Sequence, residues 1–233
     1  MGSTRLPGKV MKTLVDKSVL EHVIERVKQA ELIDEIIIAT TELERDSILV
    51  EEAKRIGVKI YRGDEKDVLS RYYGAATEYN IDSIVRITSD CPLIDPKVLD
   101  EIVGFFYSGH YDIVSNAGKD SSTRTFPRGL DTEVFSYAAL QNAHLKANVT
   151  YQREHVTPYI YENSQSINYY RQEKNYSDYR WTLDTEDDFK AISKIYDYLY
   201  KGSHDFYLEE IIELYKEHPE LRDINNHIEQ KKY

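Results

Sequence analysis

The chain has 233 residues, 41% hydrophobic and 30% charged, which suits one generous soluble domain with a core of its own. A net charge of −11 makes non-specific nucleic-acid binding a poor fit, yet leaves room for a small anion held by a few local cations. One cysteine, Cys91, excludes an intramolecular disulfide framework and a cysteine zinc cluster; apolar runs of a few residues exclude a membrane-spanning helix, and no basic-then-apolar start signals secretion, so a cytoplasmic protein is expected.

Taken in chain order, Ser18 can cap a helix over 18–30 with Val19, Leu20, Val23, Ile24 and Val27 on one face. The Ile-rich run Glu35–Ala39 reads as a buried strand. A helix over 44–56 stops at Gly57, and Val58–Tyr61 is the next strand. Asp64 is the expected cap of a helix over 65–79. Ser83–Thr88 follows as a strand, and Asp95-Pro96 opens another helix, because proline at the first turn costs no hydrogen bond. Tyr111–Ser115 completes an alternation of helix and strand. Helical crossovers of this length imply a mostly parallel sheet covered on both faces, with ligands at the carboxyl ends of its strands. The pattern then loosens into a polar loop at 116–130 and possible strands Thr132–Phe135 and Ile167–Arg171, which we assign to an added lobe at 116–175 of a single domain. Thr185 and Asp188 resemble a capping box opening a helix to about 199, a further helix spans 207–217, and 219–233 reads as an arm or a disordered tail. The twenty tyrosines read as half-buried packing and surface.

Four stretches carry candidate chemistry. In M-G-S-T-R-L-P-G-K, residues 1–9, Gly2 and Gly8 free the backbone to turn amides toward an anion, while Arg5 offers a fork and Lys9 a point charge to phosphate. It is neither a Walker A loop nor G-x-G-x-x-G, and an ordinary charged loop is the alternative. In R-I-T-S-D-C-P-L-I-D, residues 86–95, Asp90 falls just past a strand end, where a carboxylate can hold Mg²⁺ or simply cap a turn. Cys91 beside it reads as packing rather than reactive. In R-W-T-L-D-T-E-D-D, Asp184 closes a short strand and is a second possible metal carboxylate, with Asp187 and Asp188 serving the helix dipole. Arg124, Arg128, Arg153 and His155 gather positive charge in the lobe; surface pairing with Asp131, Glu133 and Glu154 is the alternative.

The order of these stretches resembles the nucleotide-sugar-forming cytidylyltransferases, nearest the spore-coat polysaccharide cytidylyltransferase family and more distantly CMP-3-deoxy-manno-octulosonate synthetase and acylneuraminate cytidylyltransferase. The resemblance runs through D-V-L-S-R-Y, F-P-R-G-L-D-T-E-V-F, R-E-H-V-T-P-Y-I-Y and W-T-L-D-T-E-D-D-F, nearly the whole chain. It implies a three-layer, Rossmann-like α/β nucleotidyltransferase domain whose lobe serves the acceptor and a homodimer contact. It implies CTP and Mg²⁺, with CMP passed to an acidic 2-keto-3-deoxy sugar and pyrophosphate released. In those roles Gly2, Ser3, Thr4, Arg5 and Lys9 contact the triphosphate, and Asp90 and Asp184 hold Mg²⁺. Thr40, Asp67, Arg71, Arg86 and Thr88 lie near the base or ribose, and Arg128, Asp131, Arg153 and His155 face the acceptor, His155 being the nearest candidate for a base. A nucleotidyltransferase acting on a sugar phosphate, a metal-dependent glycosyltransferase and an inactive nucleotide-binding module are the alternatives. Two departures stand out: Ser89 replaces an expected glycine, and the apolar strand that precedes the loop in the family has no counterpart ahead of Met1. A loop of this kind needs a strand to aim it, so we expect Met1 to be an internal methionine with about ten residues ahead of it, and the first sheet position to be empty or filled from elsewhere.

Overall fold

The structure is a computed structural model and describes residues 1–3, 5–120 and 122–229; Thr4 lies outside the described residues. After a 3-10 turn at Lys9–Met11, a short hairpin of β1 (Thr13–Leu14) and β2 (Lys17–Ser18) leads into α1 (Val19–Val27). Ser18 caps α1 as expected, accepting from the Glu21 amide at 3.0 Å. Then come β3 (Ile37–Thr41), α2 (Ser47–Ile56), β4 (Lys59–Gly63), α3 (Val68–Glu78), β5 (Ser83–Arg86), α4 (Pro96–Tyr107) and β6 (Ile113–Ser115). The second half supplies β7 (Glu133–Ser136), α5 (Tyr137–Lys146), α6 (Thr150–His155), α7 (Pro158–Asn163), β8 (Ile167–Tyr169), α8 (Glu186–Leu199), α9 (Leu208–Glu217) and α10 (Glu220–Asp223).

Successive side chains on a strand point to opposite faces, and here that alternation sorts the core into two layers. Val114 of β6 and Val134 of β7 face α4, α8 and α9, joined there by Val98, Ile102, Ile192 and Ile211. Their neighbours Ile113 and Phe135, with Ile84 of β5, face α3, α5 and α7, where Leu69, Leu140 and Ile160 meet them. Helices therefore cover both faces of the sheet, the three-layer α/β arrangement.

Within that frame several expectations need correction. The main sheet runs β5-β7-β6-β8, and β7 lies antiparallel between β5 and β6. The strand assigned to an added lobe is thus central and runs against its neighbours, whereas β5, β6 and β8 share one direction, so the sheet is mostly parallel as expected with β7 as its one reversed strand; β3 and β4 are also parallel. Asp64 does not start α3. It accepts from the amides of Lys66 and Asp67 at 2.7 and 2.9 Å, tightening the preceding turn, while Asp67 is the cap and accepts from Ser70 at 2.9 Å. The tail is docked through Asn225: Leu221 is buried, and Asn225 donates to Arg180 O and Asp188 Oδ1, both at 3.0 Å. The run at residues 36–39, expected to be buried, is only half-buried, because β3 and β4 form a separate two-stranded sheet with no described strand hydrogen-bonded to the other edge of β3.

Candidate active site

Gly8 takes φ 67°, a left-handed conformation that suits glycine, and turns the chain into the Lys9–Met11 turn. Ser3 Oγ accepts from the Leu6 amide at 3.3 Å and braces the loop. The Lys9 side chain then reaches two carboxylates far apart in the chain: Nζ lies 2.6 Å from Asp90 Oδ2 and 2.9 Å from Asp184 Oδ1.

Backbone hydrogen bonds hold those carboxylates together. Trp181 N–H donates to Arg128 O at 2.7 Å, Arg128 N–H to Tyr179 O at 3.0 Å, and Leu183 N–H to Asp90 O at 2.8 Å. Residues 179–183 thereby zip the Arg128 loop to the Asp90 turn. Gly129 makes this approach possible: with φ 103°, a Cβ there would sit 2.6 Å from the Trp181 carbonyl carbon. At the next step Thr185 and Asp188 form the capping box of α8, with Asp188 in place of the usual glutamate. Asp188 is fully buried and accepts from the Asp184 and Thr185 amides and from Arg180. Arg180 NH2 also donates to Asp184 Oδ2 at 3.0 Å, and Arg5 NH2 lies 3.1 Å from the same oxygen.

The charges tune one another. Burial opposes ionisation of both Lys9 and Asp184. For Lys9 the Asp90 and Asp184 carboxylates outweigh it and hold the ammonium above its ordinary value. For Asp184 the Lys9 hydrogen bond and charge, then Arg5 and Arg180, hold the carboxyl below the usual range. Cys91 is buried, and burial pushes its thiol well up, so it packs as a neutral thiol.

A cavity of about 880 Å³ opens beside this cluster. Gly2, Ser3, Lys9, Thr40, Arg71, Arg86 and Thr88, each expected to contact nucleotide, all line it. Arg71 is buried with no hydrogen-bond partner for its Nε. Arg86 is fixed by Glu133 of the neighbouring strand at 2.6 Å, its register partner in β7. Thr88 Oγ1 lies 3.2 Å from Cys91 Sγ.

The remaining expected residues divide. Asp67 and Arg153 are paired with each other at 2.7 Å, joining the α3 cap to α6 rather than lining the cavity. Asp131 pairs with Arg124. Arg128 is half-buried with no ion pair among the described contacts, and burial and then the nearby Arg124 charge lower its pKa. His155 ends α6, half-buried. Two residues not expected at the site complete the constellation. Arg180 positions Asp184, and its four-residue spacing from that carboxylate was the available signal; Glu133 gathers Arg86, Thr157 and Tyr161 around one carboxylate, for which the sequence holds no local sign.

Asp90 and Asp184 offer hard oxygen donors that already converge on a single cation, the Lys9 ammonium. That donor set fits Mg²⁺, which takes one or two carboxylates together with phosphate oxygens.

Residues 1–230 match the family described as Cytidylyltransferase. An uncharacterised protein of Methanocaldococcus jannaschii is 38% identical over 236 residues, covering all of this chain and 93% of that one. The spore coat polysaccharide biosynthesis protein SpsF of Bacillus subtilis is 29% identical over 202 residues, 84% of this chain and 82% of its own. Among solved structures, a cytidylyltransferase from Leptospira borgpetersenii superposes with a TM-score of 0.90 at 36% identity, covering 100% of this chain and 95% of that one.

Proposed function

The chain belongs to the cytidylyltransferase family, CTP-dependent nucleotidyltransferases, and from that we propose that it passes CMP from CTP to the anomeric hydroxyl of an acidic 2-keto-3-deoxy sugar for cell-surface or spore-coat polysaccharide synthesis. The hydroxyl oxygen forms a bond to the α-phosphorus, the bond from that phosphorus to the bridging oxygen breaks, and pyrophosphate leaves with the electron pair. The hydroxyl proton passes to a base, for which His155 is our candidate. The observation that carries this reading is the convergence of Asp90 and Asp184 on Lys9, which with Gly2, Ser3 and Gly8 also lines the adjoining cavity.

Phosphoryl transfer of this kind is mostly positioning and charge neutralisation. Arg5 and Lys9 bind the triphosphate, turning from Asp184 and Asp90 toward phosphate oxygens, and Gly2 and Ser3 give it close backbone approach. Asp90 and Asp184 would hold Mg²⁺, which when bound neutralises triphosphate charge. Arg180, buried and bonded to Asp188, keeps Asp184 aimed throughout. Thr40, Arg71, Arg86 and Thr88 border the nucleoside. Arg128 supports an anionic acceptor, since a half-buried guanidinium without a described ion pair suits a carboxylate ligand. Asp131 and His155 extend that side of the site, while Arg153 holds α6 to the α3 cap through Asp67. We also propose a homodimer through the lobe, where Leu145, Val149 and Tyr151 are exposed on and beside α5 and α6.

Pyrophosphate release from CTP and Mg²⁺ over a panel of 3-deoxy-2-keto acids and sugar 1-phosphates tests the reading. Release with a keto acid supports it; release only with sugar phosphates moves the enzyme to another acceptor class.

A further inference from the structure

Among the described residues, one group of histidine and carboxylate side chains that shares no member with the Lys9 cluster brings three ligand atoms together. His22 and Glu25 of α1 and His204, in the segment between α8 and α9, each offer one atom within 4.8 Å of the others. None of the three has a part in the proposed reaction. A three-residue spacing puts His22 and Glu25 on one face of α1. Both histidines are buried, and the rings of Tyr196, Tyr200 and Phe206 pack around them; the His22–Tyr196 centroids are 4.6 Å apart and the His204–Tyr200 centroids 5.0 Å.

The chain of contacts is one proton short. His22 Nε2 donates to Leu14 O at 2.7 Å, which leaves its Nδ1 a lone pair facing His204 Nε2, 2.9 Å away. Burial lowers the pKa of both imidazoles, so His204 is neutral as well and holds a single proton. With that proton on Nε2, the bare Nδ1 of His204 stands 3.4 Å from Glu25 Oε2; with it on Nδ1, two bare nitrogens face each other. Either way two acceptors meet, and a cation between them removes the conflict.

We propose that His22 Nδ1, His204 Nε2 and a Glu25 carboxylate oxygen form a site for a divalent transition ion of the zinc class, with water as the fourth ligand. Two imidazoles and a carboxylate suit such an ion, whereas Mg²⁺ prefers oxygen alone. Ligands ~2.1 Å from zinc lie roughly 3.3 Å from one another in a tetrahedron, so the 2.9 Å pair opens by a few tenths of an ångström. The displaced Nε2 proton moves to Nδ1 of the same ring, beside Glu25. The Leu14 carbonyl already orients the His22 ring, as the outer partner of a metal-bound histidine does. Lys17 is the resident cation: its Nζ is bonded to the two Glu25 oxygens at 2.7 and 2.8 Å, and being partly exposed it can swing to solvent when the ion arrives. Arg26, buried and bonded to Ile94 O and Phe206 O, stays in place, and its charge holds the expected affinity to the micromolar range. The bound ion staples α1 to the segment between α8 and α9.

The test titrates ZnCl₂ into the chelator-treated full chain without nucleotide, read by calorimetry and by melting, and repeats the titration with Co²⁺, whose visible absorption reports tetrahedral nitrogen and oxygen ligands. One zinc per chain should bind with micromolar affinity, and free zinc about a hundredfold above Kd should raise Tm by about 5 °C or more. Glu25→Gln should weaken zinc by about tenfold or more. Lys17→Met should tighten it by about threefold or more, because the competing ammonium is gone. Both positions are partly exposed, so neither substitution threatens the core. Asp184→Asn should leave zinc affinity and the cobalt spectrum unchanged, and MgCl₂ should not compete. His204→Gln removes a ligand outright and should abolish the cobalt spectrum; should it fail to fold, Glu25→Gln and Lys17→Met decide. No saturable zinc binding in the micromolar range, an affinity indifferent to both of those variants, or binding lost in Asp184→Asn overturns the proposal.

Discussion

Replacing Lys9 by methionine keeps the length of the side chain and removes the cation between two carboxylates. The 2.6 and 2.9 Å bonds to one nitrogen put Asp90 Oδ2 and Asp184 Oδ1 at most about 5.5 Å apart. At an effective dielectric of about 20, two like charges at that distance repel by about 3 kcal/mol. Arg5 and Arg180 remain on Asp184 and absorb part of this, so a net loss of about 1–3 kcal/mol is expected, or roughly 2–12 °C in Tm for a chain of this size. Millimolar MgCl₂ should restore much of the loss in Lys9→Met, because the ion takes the position the ammonium held, while the parent chain without CTP should barely respond. Adding Asp90→Asn to Lys9→Met should remove both the loss and the magnesium response. Melting curves in EDTA and in MgCl₂ for the three proteins give the answer. A Lys9→Met protein as stable as the parent and equally indifferent to magnesium would refute the shared-cation geometry.

Other expectations follow from the same contacts. Arg5→Ala should weaken CTP binding by about tenfold in calorimetric titration and leave the acceptor KM nearly unchanged, since a guanidinium fork at this position serves phosphate. Arg128→Ala should raise the acceptor KM tenfold or more with CTP affinity intact, as a desolvated Arg–carboxylate contact is worth about 2–5 kcal/mol; a change under twofold would favour a surface role. The third concerns acid. His22 Nε2 donates to Leu14 O at 2.7 Å, so its Nδ1 accepts from His204 Nε2 at 2.9 Å, and burial, then the Arg26 charge, pushes His204 down to about 3. A depressed histidine binds fewer protons folded than unfolded, so its contribution is complete above the unfolded value of about 6.5 and is lost as pH falls below it, by about 2 kcal/mol at pH ~5. In urea titrations at the two pH values, His204→Gln should flatten that decline; an unchanged slope would remove His204 as its source.

How much of this was legible in the sequence depended on how local each signal was. The caps Ser18 and Asp95, Pro96 at a first turn, and the Thr185–Asp188 box were readable because each is closed within four residues. The Asp64 assignment failed because two aspartates three residues apart both cap something, and only packing decides which one opens the helix. The central placement of β7 was hidden, since a strand reached through a long polar loop carries no mark of the neighbours it will pair with. Helices α5 to α7 escaped notice because α5 buries only Leu140 and Ala143, too few apolar positions for a helical period. In the site, Asp90 was found from its place beyond the end of β5; the short strand expected to end at Asp184 is only an isolated bridge at Arg180, with Asp184 held just ahead of α8, and Lys9 as the shared partner of both, across 81 and 175 residues, is a product of the fold. Arg153 and Asp67 show the reverse: residue types that suit a ligand are satisfied by each other.

The claim that matters most is that Asp90 and Asp184 together serve the transfer of CMP. Magnesium-dependent pyrophosphate release from CTP and an active keto-acid acceptor, measured for the parent chain, Asp90→Asn and Asp184→Asn, tests it most directly. Each variant should retain its fold by melting and lose about a hundredfold or more in turnover, the size of comparable losses of preorganised charge. Near-parental, magnesium-dependent turnover in either variant would contradict the assignment and move the catalytic centre away from the Lys9 cluster.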